Sequence, residues 1–299
     1  ERAMYPERIR IAVVDQIDPE DYASTSIEEE NGSSNNSNND AQKGQTRRML
    51  RCHEPERPCE EDPNQVLCKY QHLVDVYEVP AYLMVGPVLA RHIGSRMYRG
   101  EQYVMQVDAH VRFVQDWDQD IIQQWESTNN EMAVLSTYMT DIEGSIDPVS
   151  HRSTRNDRNI LCRVDYDGTG IQRRLTLKQP TQQTEPYPFD GLPQLHPFWS
   201  AGFSFSRGHF LVQVPYDQYL PMIFQGEESS IMIRGFTLGY DYYAPARSIA
   251  FHIYAIKSNI DRRKRHKFWE NDMLYKGALE KSTARLNHIS GLLNVRNNR

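Results

Sequence analysis

Tyr103-Val-Met-Gln-Val-Asp-Ala-His-Val-Arg-Phe113 alternates with a period of two. Tyr103, Met105, Val107, Ala109 and Val111 form an apolar set, and Val104, Gln106, Asp108, His110 and Arg112 form the other. Such alternation marks a half-buried strand. With the apolar set against a core, Asp108 and His110 project together from the opposite face near the strand's carboxyl end, where open α/β sheets place their ligands. A carboxylate and an imidazole side by side are part of a metal site. From these residues alone, an ordinary strand with its polar side in water is an equal reading.

The neighbouring sequence sets this strand in an α/β order. Ile9–Asp15 reads as a buried strand, and residues 71–79 as a second. Gly86-Pro87 then opens a helix through Tyr98, with proline in its first turn. Beyond the quoted stretch, Trp117, Ile121, Ile122 and Trp125 recur at helical spacing, and Met132–Met139 returns as a strand. Leu161–Asp165 and Ile171–Leu177 flank Asp167-Gly168-Thr-Gly170 as a β-hairpin, and Pro180–Trp199 reads as one long loop. The C-terminal leucines, Leu279, Leu286, Leu292 and Leu293 with Ile289, predict an amphipathic helix packed on the domain or on a partner.

Composition narrows the classes of function. The 299 residues are 39% hydrophobic and carry a formal net charge of −6, which opposes general nucleic-acid binding. No apolar run approaches the ~18 residues of a membrane span. The chain starts abruptly at Glu1, as an excised fragment would. Residues 24–50 are a low-complexity, disordered insertion. The expected organisation is a catalytic domain starting over 1–23, interrupted at 24–50, continuing over 51–268 and followed by a helical segment, 269–299. Cys52, Cys59, Cys68 and Cys162 lack a Cys-x-x-Cys pair, so free thiols or one local disulfide are expected before a structural zinc site.

A third donor lies further along. Ser248–Ile256 reads as a strand with Ile249, Phe251, Ile253 and Ala255 on one face and His252 on the other. Before it, Gly226-Glu227-Glu228 starts a helix that ends at Gly239 and puts two glutamates in its first turn, where the macrodipole favours them.

Gly100–His110, Gly202-Phe-Ser-Phe-Ser206, Val214-Pro-Tyr-Asp217, Phe224-Gln-Gly-Glu-Glu228 and Phe251-His252 resemble the protist hydroxyproline N-acetylglucosaminyltransferases that modify the SCF ubiquitin-ligase adaptor. Asp108-Ala-His110, Gly226-Glu227, Arg234 and His252 also look like signatures of the transferases that initiate mucin-type O-glycosylation. The resemblance runs from about Tyr5 to Lys267, apart from the insertion. It implies an α/β fold of the GT-A nucleotide-sugar-binding type with a mixed central sheet. Family members normally carry a strand and helix before the position of Ile9–Asp15, so this first strand is expected to be lacking here.

The same resemblance implies a retaining transferase that moves N-acetylglucosamine from UDP-GlcNAc to a protein hydroxyl, with Mn²⁺ or another divalent cation on Asp108, His110 and His252. Mixed nitrogen and oxygen donors suit Mn²⁺ better than Mg²⁺. Glu227 and Glu228 are the catalytic candidates, and Asp15, Arg91, Trp117, Asp118, Trp199, Gly202 and Gly226 the substrate-binding ones. The basic run Asp261–Trp269 is a solvated charge run or a lid over the diphosphate. The expected partners are the nucleotide sugar and a protein acceptor, the SCF adaptor among the candidates. The compartment expected is the cytoplasm, or the Golgi lumen with an anchor upstream. A metal-dependent hydrolase using the same donors, with Glu227 or Glu228 as base, and a noncatalytic sugar-binding remnant are the other readings.

Overall fold

The computed structural model describes residues 2–17, 51–178, 182–254, 267–271 and 273–291. The insertion at 24–50 and the basic residues 261–266 lie outside them. The chain forms β1 (Ile11–Ile17), α1 (Val66–Tyr70), β2 (Val74–Pro80), α2 (Pro87–Ser95), β3 (Tyr103–Val107), β4 (Val111–Phe113) and α3 (Trp117–Glu126). It continues with β5 (Ala133–Ser136), β6 (Asp157–Ile160), β7 (Val164–Asp167), β8 (Arg174–Leu177), β9 (Gln183–Pro186), β10 (Gln194–Leu195) and β11 (Phe203–Arg207). The last elements are α4 (Gly208–Gln213), α5 (Glu227–Thr237), β12 (Asp241–Ala244), β13 (Ala250–His252) and α6 (Ala278–Ile289).

The central sheet is mixed, in the order β10-β12-β5-β11-β3, with β12 and β5 parallel and the other pairs antiparallel. It is covered on both faces. Successive residues of β5 feed two different cores: Val134 joins Trp199, Phe210, Ile231 and Leu286, whereas Ala133 and Leu135 join Ile121, Trp125, Phe203 and Phe251. That is why β5 is buried throughout and apolar from Ala133 to Leu135. α4, α5 and α6 cover one face through Phe210, Ile231 and Leu286, and α3 covers the other through Ile121 and Trp125.

The long strand expected from Tyr103 to Phe113 is two strands. Tyr103, Met105 and Val107 do pack on one core, and Gln106 turns to the other side, where its amide donates to Ala201 O and Tyr216 Oη. After Asp108 N–H donates to Gly202 O at 3.1 Å, however, the ladder with β11 ends. The chain crosses to a second sheet, pairing β4 with β13. Asp108-Ala109-His110 is the bend at that crossover, so its two polar side chains owe their proximity to a change of sheet rather than to one strand face.

Other expectations also shift. β1 is exposed to half-buried instead of buried, because among the described residues it pairs with the parallel β2 alone. The strand around His252 is three residues long, matching the short β4, and both Phe251 and His252 are buried, so it has no solvent face. The supposed loop 180–199 contains β9 and β10, paired with β6 and β12. Cys59 and Cys68 form a disulfide, which removes them as zinc ligands, and Cys52 and Cys162 are free. The hairpin β7–β8 and the helix opening at Pro87 are found as expected. Leu286 of α6 is fully buried in the core, so this helix packs on its own domain. Among the described residues no helix is long and apolar enough to cross a membrane.

Candidate metal centre and active site

Asp108 and His110 come from the crossover bend and His252 from the end of β13, two segments that the β4–β13 pairing brings together. Their ligand atoms all lie within 4.8 Å of one another, and no other group of three such residues does so among the described residues. Asp108 Oδ2 stands 3.5 Å from His252 Nε2, and the two imidazoles meet edge to face with centroids 4.3 Å apart. Donors on one ion with bonds of ~2.1 Å are separated by roughly 3 to 4 Å. A small rotation of a side chain therefore suffices, and one carboxylate with two imidazoles suits a borderline divalent cation.

Asp108 divides its oxygens. Oδ1 pairs with Arg91 at 3.2 Å, and Arg91 also reaches Glu227 Oε1 at 3.3 Å. Burial alone would disfavour the charged guanidinium, but Tyr216, Glu227, Asp108 and Glu228 around it outweigh that and hold it ionised. Arg91 is on α2, which opens at Gly86-Pro87 with proline in its first turn.

Glu227 and Glu228 open α5 after Gly226, whose φ of +106° is left-handed. A Cβ on Gly226 would stand 2.5 Å from Leu286 Cδ2, so glycine is required twice over. Glu227 is 6% exposed, and its Oε2 has no hydrogen-bond partner. Burial first, then the charge of Glu228, raises its carboxyl above the usual range despite Arg91. Burial also raises Glu228, against the donors that surround it. Tyr138 O–H donates to Glu228 Oε2 at 2.6 Å, and Ala201 N–H donates to Oε1 at 2.9 Å. Both oxygens are thus engaged within the fold.

The remaining candidates separate clearly. Gly202 backs the cluster: a Cβ there would lie 3.2 Å from Asp108 Oδ2. Trp199 is 1% exposed, with its indole N–H on Ser204 Oγ, and is a core side chain with no surface for a ligand. Trp117 stacks on Phe113 at 4.3 Å, and Asp118 accepts from the amides of Met4 and Tyr5, tying the amino-terminal segment to α3. Neither belongs to the cluster. Asp15 lies in the β1–β2 pair, where it holds the Cys52 thiol; partial burial and this carboxylate push that thiol up to about 12. Arg234 donates to Pro215 O on the far side of α5.

Residues not singled out from sequence complete the wall. Tyr138 lines an open cleft of about 450 Å³ with Asp141, Asn159, Thr184 and Tyr254 among others. Tyr254 lies with its ring 4.0 Å from that of His252. Tyr254 stands two residues from His252 on the same segment, a spacing that could have marked it. Tyr138 and Ala201 leave no sequence signal, because their roles come from contacts across the fold.

This donor cluster, at the edge of a mixed α/β sheet, defines a candidate metal-binding enzyme. A family model described as Glycosyltransferase (GlcNAc) matches residues 1–295, and the chain belongs to that family. No curated protein gives a significant match. Among solved structures, the crystal structure of GalNAc-T7 with UDP, GalNAc and Mn²⁺ is 16% identical, with a TM-score of 0.44 over 67% of this chain and 35% of that one. The match thus spans about a third of that protein's length.

Proposed function

We propose that the chain is a metal-dependent, retaining glycosyltransferase of GT-A type that transfers N-acetylglucosamine from UDP-GlcNAc to a protein hydroxyl, hydroxyproline or Thr/Ser. The observation that carries this reading is the Asp108, His110 and His252 donor set in a chain of the GlcNAc glycosyltransferase family. A divalent ion held there, Mn²⁺ for this donor chemistry, supplies Lewis-acid neutralisation of the departing diphosphate.

The surrounding residues fit the remaining tasks. Arg91 keeps a full positive charge beside Asp108 and offers further donors to phosphate oxygens. Glu227 Oε2 is a buried acceptor in want of a donor, which a sugar hydroxyl supplies. Of the three carboxylates at the cluster, Asp108 is paired with Arg91, Glu228 accepts on both oxygens, and Glu227 holds Arg91 through Oε1 and leaves Oε2 for the sugar. Front-face attack by the acceptor, with the leaving phosphate taking its proton, suits this arrangement. Of the acceptors, an SCF-type adaptor rests on the sequence resemblance alone.

Calorimetry tests the reading. UDP and UDP-GlcNAc should bind in the presence of Mn²⁺ and not in its absence, and Asp108→Asn should abolish that binding. Metal binding with no effect on nucleotide affinity would refute the transferase and favour the hydrolase. Slow Mn²⁺-dependent release of sugar from UDP-GlcNAc, but not from UDP-GalNAc, identifies the donor. The Cys59–Cys68 bond favours an oxidising compartment, and hence the Golgi lumen over the cytoplasm. Two rather than four titratable thiols in denatured protein purified without reductant is the expected result.

A further inference from the structure

We propose that Glu228 is a positioning residue: through Ala201 and Gly202 it fixes the main-chain wall behind Asp108, and it is not the base of the reaction. This rests on the metal site proposed above. A general base needs an oxygen free to face the substrate. Both Glu228 oxygens already accept within the fold, Oε2 from Tyr138 O–H and Oε1 from Ala201 N–H, and the Ser200 hydroxyl is a further donor to the carboxylate.

The bonded segment leads straight to the cluster. Ala201 O accepts from Gln106 Nε2 at 2.7 Å, Gly202 N–H donates to Ser200 Oγ at 3.2 Å, and Gly202 O accepts from Asp108 N–H at 3.1 Å. Ser200 is itself locked, with its N–H on Ser136 Oγ and its carbonyl accepting from that hydroxyl. The same Ser200 hydroxyl is a donor to Glu228, and the Ala201 amide would be an orphan without that carboxylate. The wall bears on Asp108 Oδ2, the oxygen that faces His252 Nε2. On the other side of Glu228, Tyr138 lines the open cleft together with Asp141 and Tyr254, both neighbours of His252. One carboxylate thus joins the cleft wall to the position of a metal ligand.

Mn²⁺ titrated calorimetrically into the full chain without nucleotide reads this directly. Glu228→Ala removes these bonds and should weaken Mn²⁺ by roughly threefold or more, less than the ~10- to 100-fold cost of losing a group bonded directly to a metal ligand. Glu228→Gln keeps those to Ala201 and Tyr138, its amide oxygen accepting from Ala201 and its amide nitrogen donating to Tyr138 Oη. It should bind Mn²⁺ like the parent and retain sugar transfer. Tyr138→Phe removes one bond and should fall between them.

Unchanged Mn²⁺ affinity in Glu228→Ala overturns the proposal. So does Glu228→Gln that keeps Mn²⁺ but loses turnover, the result expected of a base. If Glu228→Ala does not fold, Tyr138→Phe decides, with parental affinity counting against the role. Asp108→Asn distinguishes the two levels: Mn²⁺ affinity unaffected by that change refutes the metal site itself.

Discussion

With Arg91 between Asp108 and Glu227, two carboxylates share one guanidinium. The arrangement is unequal: Arg91 offsets part of the cost at Glu227 without cancelling it, and burial still leaves that carboxyl raised. A carboxyl with a raised folded pKa contributes stability that is full below its unfolded value and lost as pH rises through the folded one. Above that range the protein carries the cost of a buried charge. Glu227→Gln should therefore raise the melting temperature of the metal-free protein by about 2–4 °C at alkaline pH, the shift expected for ~1 kcal/mol in a chain of this size. The difference should vanish toward roughly pH 4, where both forms are neutral. A melting-temperature gap that is constant across pH would contradict the account. At this scale, spacing showed which residue types could act, since Asp108, His110 and His252 converge. It could not show that Glu228 is consumed by Tyr138 and Ala201, or that Trp199 is sealed in the core, because both facts depend on contacts across more than twenty residues or on packing.

At the scale of elements, the strand pattern holds in phase within β3 and β4 and fails between them, where Ala109, assigned to the core by its alternation, is exposed. Tyr103, Met105 and Val107 face the core that their alternation assigns them, and Val111 and Phe113 join the same core after the bend. Period-two alternation survives a crossover between sheets, so it cannot report one; the break lies in which partner strand accepts the next amide. Helix starts were easier to read, since Pro87 and Gly226 act through their own backbone conformations. Gly226 shows how tightly such a start is held. Alanine there would strain the left-handed φ and drive its methyl group into Leu286 of α6. Gly226→Ala should cost about 2–3 kcal/mol in urea unfolding. It should also weaken nucleotide binding, because the displaced turn carries Glu227. Stability within about 0.5 kcal/mol of the parent would mean that α6 yields without resistance.

Across the whole molecule, β5 belongs to both cores at once. Val134 and Leu135 are adjacent, each fully buried, yet they face opposite layers of the sheet. A strand shared in this way cannot leave one core while the other stays formed, so the two layers should unfold together. The sequence suggested an α/β order but not this sharing, because the apolar run Met132–Leu135 is equally compatible with one deep core. Leu135→Ala removes side-chain volume from one layer and should cost about 2–5 kcal/mol. Val134→Ala does the same in the other layer at a smaller cost, in proportion to the methyl groups lost. Each should lower the midpoint of a single transition, with the slope against urea unchanged. Indole fluorescence, to which Trp199 in one layer and Trp117 and Trp125 in the other contribute along with the exposed Trp269, should coincide with far-ultraviolet circular dichroism in both variants. Two resolved transitions, or a variant that melts one layer's signal ahead of the other, would show that the layers are independent. The donor cluster, set where β3 leaves the shared sheet for the β4–β13 pair, would then be anchored to one layer only.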